Sequence, residues 1–169
     1  MMGRLPFPSA AEHKPVGMLD GIKKEIKDLC DIRIDKDGVW YYRGAEMYRH
    51  DIVQYLYAHV KKKAEGDYYI EISEYDRCKI DVEDTAFVVK SAERVHLDNG
   101  KKDAIRIHLS DGSSEELRLD SLSISGENVL YCRIKENEFK ARFSRKSYYQ
   151  IINDVEYDDQ LGKYFLKIN

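Results

Sequence analysis

Val39-Trp40-Tyr41-Tyr42-Arg43 returns later in the chain as Val129-Leu130-Tyr131-Cys132-Arg133. Arg49-His50-Asp51-Ile52-Val53-Gln54-Tyr55-Leu56 has a counterpart in Arg145-Lys146-Ser147-Tyr148-Tyr149-Gln150-Ile151-Ile152. Tyr68-Tyr69-Ile70-Glu71-Ile72 has one in Tyr164-Phe165-Leu166-Lys167-Ile168. The last two pairs are both displaced by 96 residues and the first by 90, so the second copy carries six extra residues. The shared order of strand, helix and strand implies a duplication and a groove between two related units. No motif in it specifies a reaction.

The pattern around these stretches sets the class. Leu19, Ile22, Ile26 and Leu29 recur at helical spacing. Asp31 to Arg43 reads as a β-hairpin turning at Asp37-Gly38, a two-residue loop that would set Ile34 opposite Tyr41 and Asp35 opposite Trp40. Arg49 to Lys63 reads as a helix with Ile52, Leu56 and Val60 along one stripe and Lys61 to Lys63 in its last turn. From Thr85 onward strand-like runs alternate with Asp98-Asn99-Gly100, Asp111-Gly112 and Ser125-Gly126 turns, followed by a hairpin turning at Glu136-Asn137. Ser144 is placed to cap a helix from Arg145 to about Val155, with Tyr148 and Ile152 facing the sheet. The expected fold class is α+β: two structurally related units, the second an antiparallel sheet capped by a C-terminal helix. Residues 1–17 hold all three prolines and read as a flexible N-terminal arm, 18–84 as the first unit and 85–169 as the second.

The composition excludes several classes. Hydrophobic residues make up 43% and charged residues 35%, a soluble globular balance. The net charge of −3 carries no nucleic-acid signature. No apolar run approaches the roughly 18 residues that span a bilayer, and no secretory h-region precedes Gly17. Cys30, Cys78 and Cys132 are isolated and odd in number, so they read as free thiols and point to a reducing cytoplasm. Thirteen tyrosines suit half-buried sheets and interfaces.

The stretch Ile34-Asp35-Lys36-Asp37-Gly38-Val39-Trp40-Tyr41-Tyr42-Arg43-Gly44, then Arg49 with its apolar helix, Lys79-Ile80-Asp81-Val82-Glu83-Asp84-Thr85-Ala86-Phe87, and Ala141-Arg142 with Arg145-Lys146-Ser147-Tyr148-Tyr149 together resemble a bacterial family, domain of unknown function 1285. The resemblance runs from about residue 31 to the end. It implies a duplicated core, a C-terminal unit like a pleckstrin-homology fold, a nucleotide-like ligand where the units meet and a role in signal transduction. The chain departs from the family pattern at Ser73-Glu74-Tyr75 and at Leu119-Asp120-Ser121-Leu122.

Arg49 and Arg145 stand out among candidate site residues. Both fall at a helix start, where a cation opposes the macrodipole and a bound anion would offset the conflict. The alternative is an ion pair with Glu83, Asp84 or another local acid. Glu65 to Asp84 holds eight acids and two bases, and Arg133 to Lys146 six bases and two acids. These segments either lie on solvated faces, or face each other between units, or leave the basic hairpin free for an anionic ligand. Trp40, the sole Trp, is a core anchor or a stacking surface. Adjacent strand residues Glu83 and Asp84 point to opposite faces and would not form an acid–base pair. Asp35, Asp37 and Gly38 fail as a calcium loop, the five histidines lack metal spacing, and no nucleophile signature is present.

The sequence thus implies a cytoplasmic binding or regulatory module, not an enzyme, without cofactor or metal. Its expected partner is a nucleotide-like or other anionic small molecule between the units. Arg49, Arg133, Arg142 and Arg145 would neutralise the anion, Trp40 and Tyr148 would supply apolar surface, and Glu83 would accept from a ligand donor. The alternatives are a protein–protein scaffold working through its Tyr-rich sheet and a hydrolase with a scattered site.

Overall fold

The computed structural model describes residues 31–63, 66–100 and 102–167. The expected N-terminal arm and the helix around Leu19 to Leu29 lie outside these residues. The described chain forms fourteen strands and two helices. The first sheet holds β1 (Ile32–Ile34), β2 (Trp40–Tyr42), β3 (Ala45–Glu46), β4 (Val60–Lys62), β5 (Tyr68–Ser73) and β6 (Asp76–Val82), with α1 (His50–Ala58) between β3 and β4. The second holds β7 (Phe87–Leu97), β8 (Lys102–Leu109), β9 (Ser114–Glu116), β10 (Ser123–Ile124), β11 (Leu130–Ile134) and β12 (Phe139–Phe143). Helix α2 (Arg145–Ile151) and the separate hairpin β13 (Val155–Asp158) and β14 (Lys163–Leu166) complete it.

The two sheets repeat one topology. Strand order is β3-β2-β1-β6-β5-β4 in the first and β10-β11-β12-β7-β8-β9 in the second. Each is a pair of three-stranded antiparallel meanders joined through a single parallel pair, β1 with β6 and β7 with β12. The second sheet is therefore mixed, not purely antiparallel. A parallel pair needs a long crossover, and the intervening strands supply it. The residue matches follow a different correspondence. Both stretches run hairpin, helix, hairpin, but β4 and β5 extend the first sheet whereas β13 and β14 stand apart. Where α1 links the meanders of the first sheet, the second has one turn of 3₁₀ helix, Leu119–Ser121.

Three expectations shift by a small register. Ile34 faces Trp40 and Arg33 faces Tyr41, so the first hairpin loop is one residue longer than expected. Asp35 is the cause: its Oδ1 accepts from the N–H groups of Asp37 and Val39, both at 2.9 Å, and Gly38 takes the left-handed turn at φ 78°. A three-residue loop with glycine there is the next commonest hairpin connection. The first helix stops at Ala58, and Lys61 and Lys62 belong to β4. In α2 the buried residues are Ser147 and Ile151, so the expected stripe of Tyr148 and Ile152 is rotated by one position. Ser147 Oγ donates to the Val89 carbonyl at 2.8 Å and fixes that rotation. The cap itself is as expected, with Ser144 Oγ accepting from Ser147 N at 3.1 Å.

One core serves both sheets. Tyr57 of α1 meets Trp40 edge-on at 4.9 Å and Phe87 of β7 at 5.3 Å, and Phe87 meets Phe139 of β12 at 4.8 Å. The Tyr57 hydroxyl donates to Ser110 Oγ at 2.8 Å, which in turn accepts from Val88 N at 3.0 Å. Beside this cluster Lys135 Nζ bonds Asp111 at 2.8 Å and lies 5.2 Å from the Phe87 ring centre. The buried Cys132 is a free thiol, while Cys78 is disulfide-bonded, so the expectation of free thiols fails at Cys78. The argument for a reducing compartment loses that support. Among the described residues no helix is long and apolar enough to cross a membrane.

Two outcomes follow from this packing. Leu56 is 1% exposed, and Leu56→Ala should cost about 2–5 kcal/mol in urea unfolding. Burial pushes the Asp111 carboxyl up, but Lys135 and the Ser113 hydroxyl and amide outweigh it and hold the group below the usual carboxylate range. A depressed folded-state pKa gives stability that is present above the unfolded value of about 3.9 and is lost as pH falls through the folded value. The urea midpoint should therefore drop on acidification below about pH 4, and Asp111→Asn should make that drop shallower.

Candidate functional site

The seven expected site residues separate into three groups. Trp40 is 2% exposed and anchors the shared core. Its indole N–H has no acceptor in hydrogen-bond geometry among the described residues, so it adds packing and no ligand surface. Arg49 is the N-cap residue of α1, and its guanidinium clasps Asp51 through Nε at 3.1 Å and Nη2 at 2.6 Å. The pair relieves the conflict of a cation at a helix start, as the ion-pair alternative anticipates, although the acid is Asp51. Glu83 pairs with Arg33 at 2.8 Å, both well exposed. Arg133 sits exposed on β11, opposite Lys140.

Arg142, Arg145 and Tyr148 come together. They line an open cleft of about 580 Å³ at the junction of β12 and α2, with Tyr149, Ser144 and Asn128 around it. The fold brings them there in sequence order. Arg142 projects from the middle pair of the parallel β7–β12 register, opposite Val88, the chain leaves the sheet at Ser144, and α2 begins at Arg145. The rotation imposed by Ser147 turns Tyr148 toward the cleft, where it meets Tyr149 edge-on at 5.4 Å.

The two arginines differ in their partners. Arg142 Nη1 donates to Asp84 Oδ2 at 2.7 Å, and the same oxygen accepts from the Tyr131 hydroxyl at 2.9 Å. Burial disfavours the Arg142 charge, but the Asp84 hydrogen bond and charge more than compensate and raise its pKa above the ordinary guanidinium value. The Tyr131 phenol is pushed up by burial first and then by Asp84. Arg145 makes no ion pair among the described residues. Of the acidic and basic segments, Asp84 and Arg142 are joined to each other. Glu71 pairs with Arg77, and Asp67 with Lys79, inside the acidic segment itself.

Residues 22–85 match the family described as domain of unknown function (DUF1285), N-terminal domain. Two solved structures share the fold. A DUF1285 family protein from Silicibacter pomeroyi DSS-3 is 23% identical, with a TM-score of 0.64 over 76% of this chain and 71% of the other. A second, from Shewanella baltica OS155, is 14% identical, with a TM-score of 0.58 over 73% of this chain and 91% of the other. No curated protein matches the chain. The DUF1285 likeness places the duplicated sheets within a known fold and carries no assigned activity.

Sequence reasoning named Asp84 as an ion-pair partner for Arg49 or Arg145, not for Arg142, and missed a second constellation on β7, β8 and β9. Ser114 Oγ lies 2.7 Å from His108 Nδ1, and His108 Nε2 lies 3.2 Å from Glu93. The residues are cross-strand neighbours, and the His108 and Glu93 side chains are 40% and 56% exposed. Such openness to water removes the low-dielectric setting that makes a nucleophile–base–acid series effective, so we read it as a polar ladder.

Cys132 gives a check on the second sheet. Burial pushes its thiol up to about 12, so almost no thiolate is present at neutral pH. Iodoacetamide at pH 8 should leave the Cys132 peptide unmodified in the native protein and modify it in urea, as read by mass spectrometry. Modification at equal rates in both would mean that the β11 strand does not pack as described.

Proposed function

We propose that this protein is a binding or regulatory module whose ligand is a small anion, nucleotide-like or otherwise, held in the cleft between β12 and α2. The observation that supports the reading is the convergence of Arg142 and Arg145 on one opening beside Tyr148 and Tyr149. Guanidinium groups present planar pairs of donors to carboxylate and phosphate oxygens, and the tyrosine rings offer a face for the apolar or aromatic part of a ligand. Arg145 is free to meet the anion, while Arg142 keeps donors on its other nitrogens. The proposed site lies in the second unit, with Asp84 of the joint behind Arg142, instead of in the shared Arg49–Arg145 groove that the repeat led us to expect. No catalytic step is part of the proposal. The pleckstrin-homology likeness and the signalling role implied by the family, and a cytoplasmic location, extend the same reading.

A thermal-shift titration with inorganic phosphate and nucleoside phosphates tests it. A ligand at 100 times its dissociation constant should add about 2.7 kcal/mol of stability. Arg145→Gln should abolish the shift. Arg145→Lys should lose most of it, because an ammonium keeps the charge and not the paired geometry. Shifts that are equal in wild type and Arg145→Gln would move the reading to the protein–protein scaffold.

A further inference from the structure

Asp84 does not line the cleft, but it holds one of the two arginines that do, and an anion site does not need such an acid. A carboxylate placed against one of two binding arginines lowers the local charge from two positive to one. It is also held there firmly. Asp84 Oδ2 takes two donors, Arg142 at 2.7 Å and the Tyr131 hydroxyl at 2.9 Å. The backbone N–H of Arg142 meanwhile donates to the Thr85 hydroxyl at 3.2 Å, and that hydroxyl donates to the Phe87 carbonyl at 2.7 Å. The acid and the arginine are thus fixed to each other through both side chain and backbone. The Asp84 and Arg142 side chains are 22% and 24% exposed, so solvent screens their charges only in part.

We infer that Asp84 sets the charge selectivity of the cleft, tuning it toward singly charged anions such as a phosphodiester or a carboxylate and away from doubly charged ones such as a phosphomonoester. This rests on the reading of the cleft as an anion site. The physical reason is that Coulomb energy is proportional to the charge of the ligand. The Asp84 carboxylate repels a dianion with twice the energy with which it repels a monoanion at the same place. Its removal should therefore help both, and help the dianion by about the square of the factor gained by the monoanion. Two guanidinium groups with no acid beside them would favour the more highly charged ligand. With Asp84 present, a single negative charge on the ligand completes the neutralisation of the cleft.

The test uses two probes with the same phosphate chemistry and different charge, methyl phosphate and dimethyl phosphate. At pH 8 the first is a dianion, since its second pKa is about 6. Both are titrated by nuclear magnetic resonance at constant ionic strength into the full-length protein, wild type and Asp84→Asn. The expected result is tighter binding of both probes to the variant, with dimethyl phosphate improved about 3-fold and methyl phosphate about 10-fold, in the squared relation that Coulomb's law requires. Equal gains, a larger gain for dimethyl phosphate, or no gain would overturn the inference. Arg145→Gln separates this from the parent reading. If that variant binds both probes as well as wild type, or if wild type binds neither, the cleft is not an anion site at all. Should Asp84→Asn fail to fold, Tyr131→Phe tests the charge from the other side. Loss of the hydroxyl leaves the carboxylate less compensated, so methyl phosphate should weaken more than dimethyl phosphate. An unchanged ratio between the two would count against Asp84 as the selector.

Discussion

The ring chain Trp40–Tyr57–Phe87–Phe139 is the constraint on which the rest of the molecule depends. Each unit is small, and a domain of about 60 residues hides only about 60% of the surface its unfolded chain exposes. Sharing the core across two sheets removes that limit. Tyr57 stands at the centre because it belongs to α1 of the first unit yet touches β7 of the second, and its hydroxyl closes on Ser110. Gly38 shows how closely the units approach. A Cβ there would lie 3.1 Å from Val88 Cγ2, in a residue whose φ is already positive. The tip of the first hairpin therefore rests directly on the second sheet, and the Lys90 ammonium donates to the Asp37 carbonyl beside it.

This shared core explains what was legible in the sequence. Most strand positions followed from two-residue periodicity, and most turns from their Gly, Asn and Asp residues, because those signals are local; α2, expected to reach about Val155, stops at Ile151, and Val155 opens β13 instead. The Ser144 cap was legible for the same reason. What was not legible depends on partners distant in sequence. The helical phase of α2 follows from a bond between Ser147 and Val89, 58 residues apart. A small polar residue at 147 gives no sign that it will be the most buried position of its helix. The register of the first hairpin depended on Asp35 bending its loop, which favours a three-residue connection over the two-residue one that Asp37-Gly38 suggests. The end of α1 was hidden because Val60 continues an apolar stripe that suits helix and strand alike.

The candidate site was half legible. Arg142, Arg145 and Tyr148 are close in sequence, and the strand-to-helix passage at Ser144 carries them to one opening. Trp40 and Arg49 lie on the earlier copy of the repeat, and the repeat suggested that they would mirror the later residues. The sheet topology equates β2 with β8, however, and not with β11, so the symmetry that would have joined them is not the symmetry of the fold. A residue match of strand, helix and strand tests local order. It does not test which strands become neighbours.

The charges follow from the same arrangement. Three acids of the stretch before Asp84 are met by bases at the surface: Glu71 by Arg77, Asp67 by Lys79 and Glu83 by Arg33. Such exposed pairs contribute little to stability, on the order of 0–1 kcal/mol each. Asp84 is different because it lies at the joint between the sheets, where the chain leaves β6 and enters β7. Its carboxylate reaches β11 and β12 together, through Tyr131 and Arg142. One partner of the contact that docks the joint onto the second sheet, Arg142, therefore also lines the cleft. An anion that draws Arg142 toward itself weakens that docking, and a firmer docking holds Arg142 back from the anion. If the cleft binds an anion as proposed, binding and the attachment of the joint are two uses of one guanidinium, and by linkage each would be felt by the other.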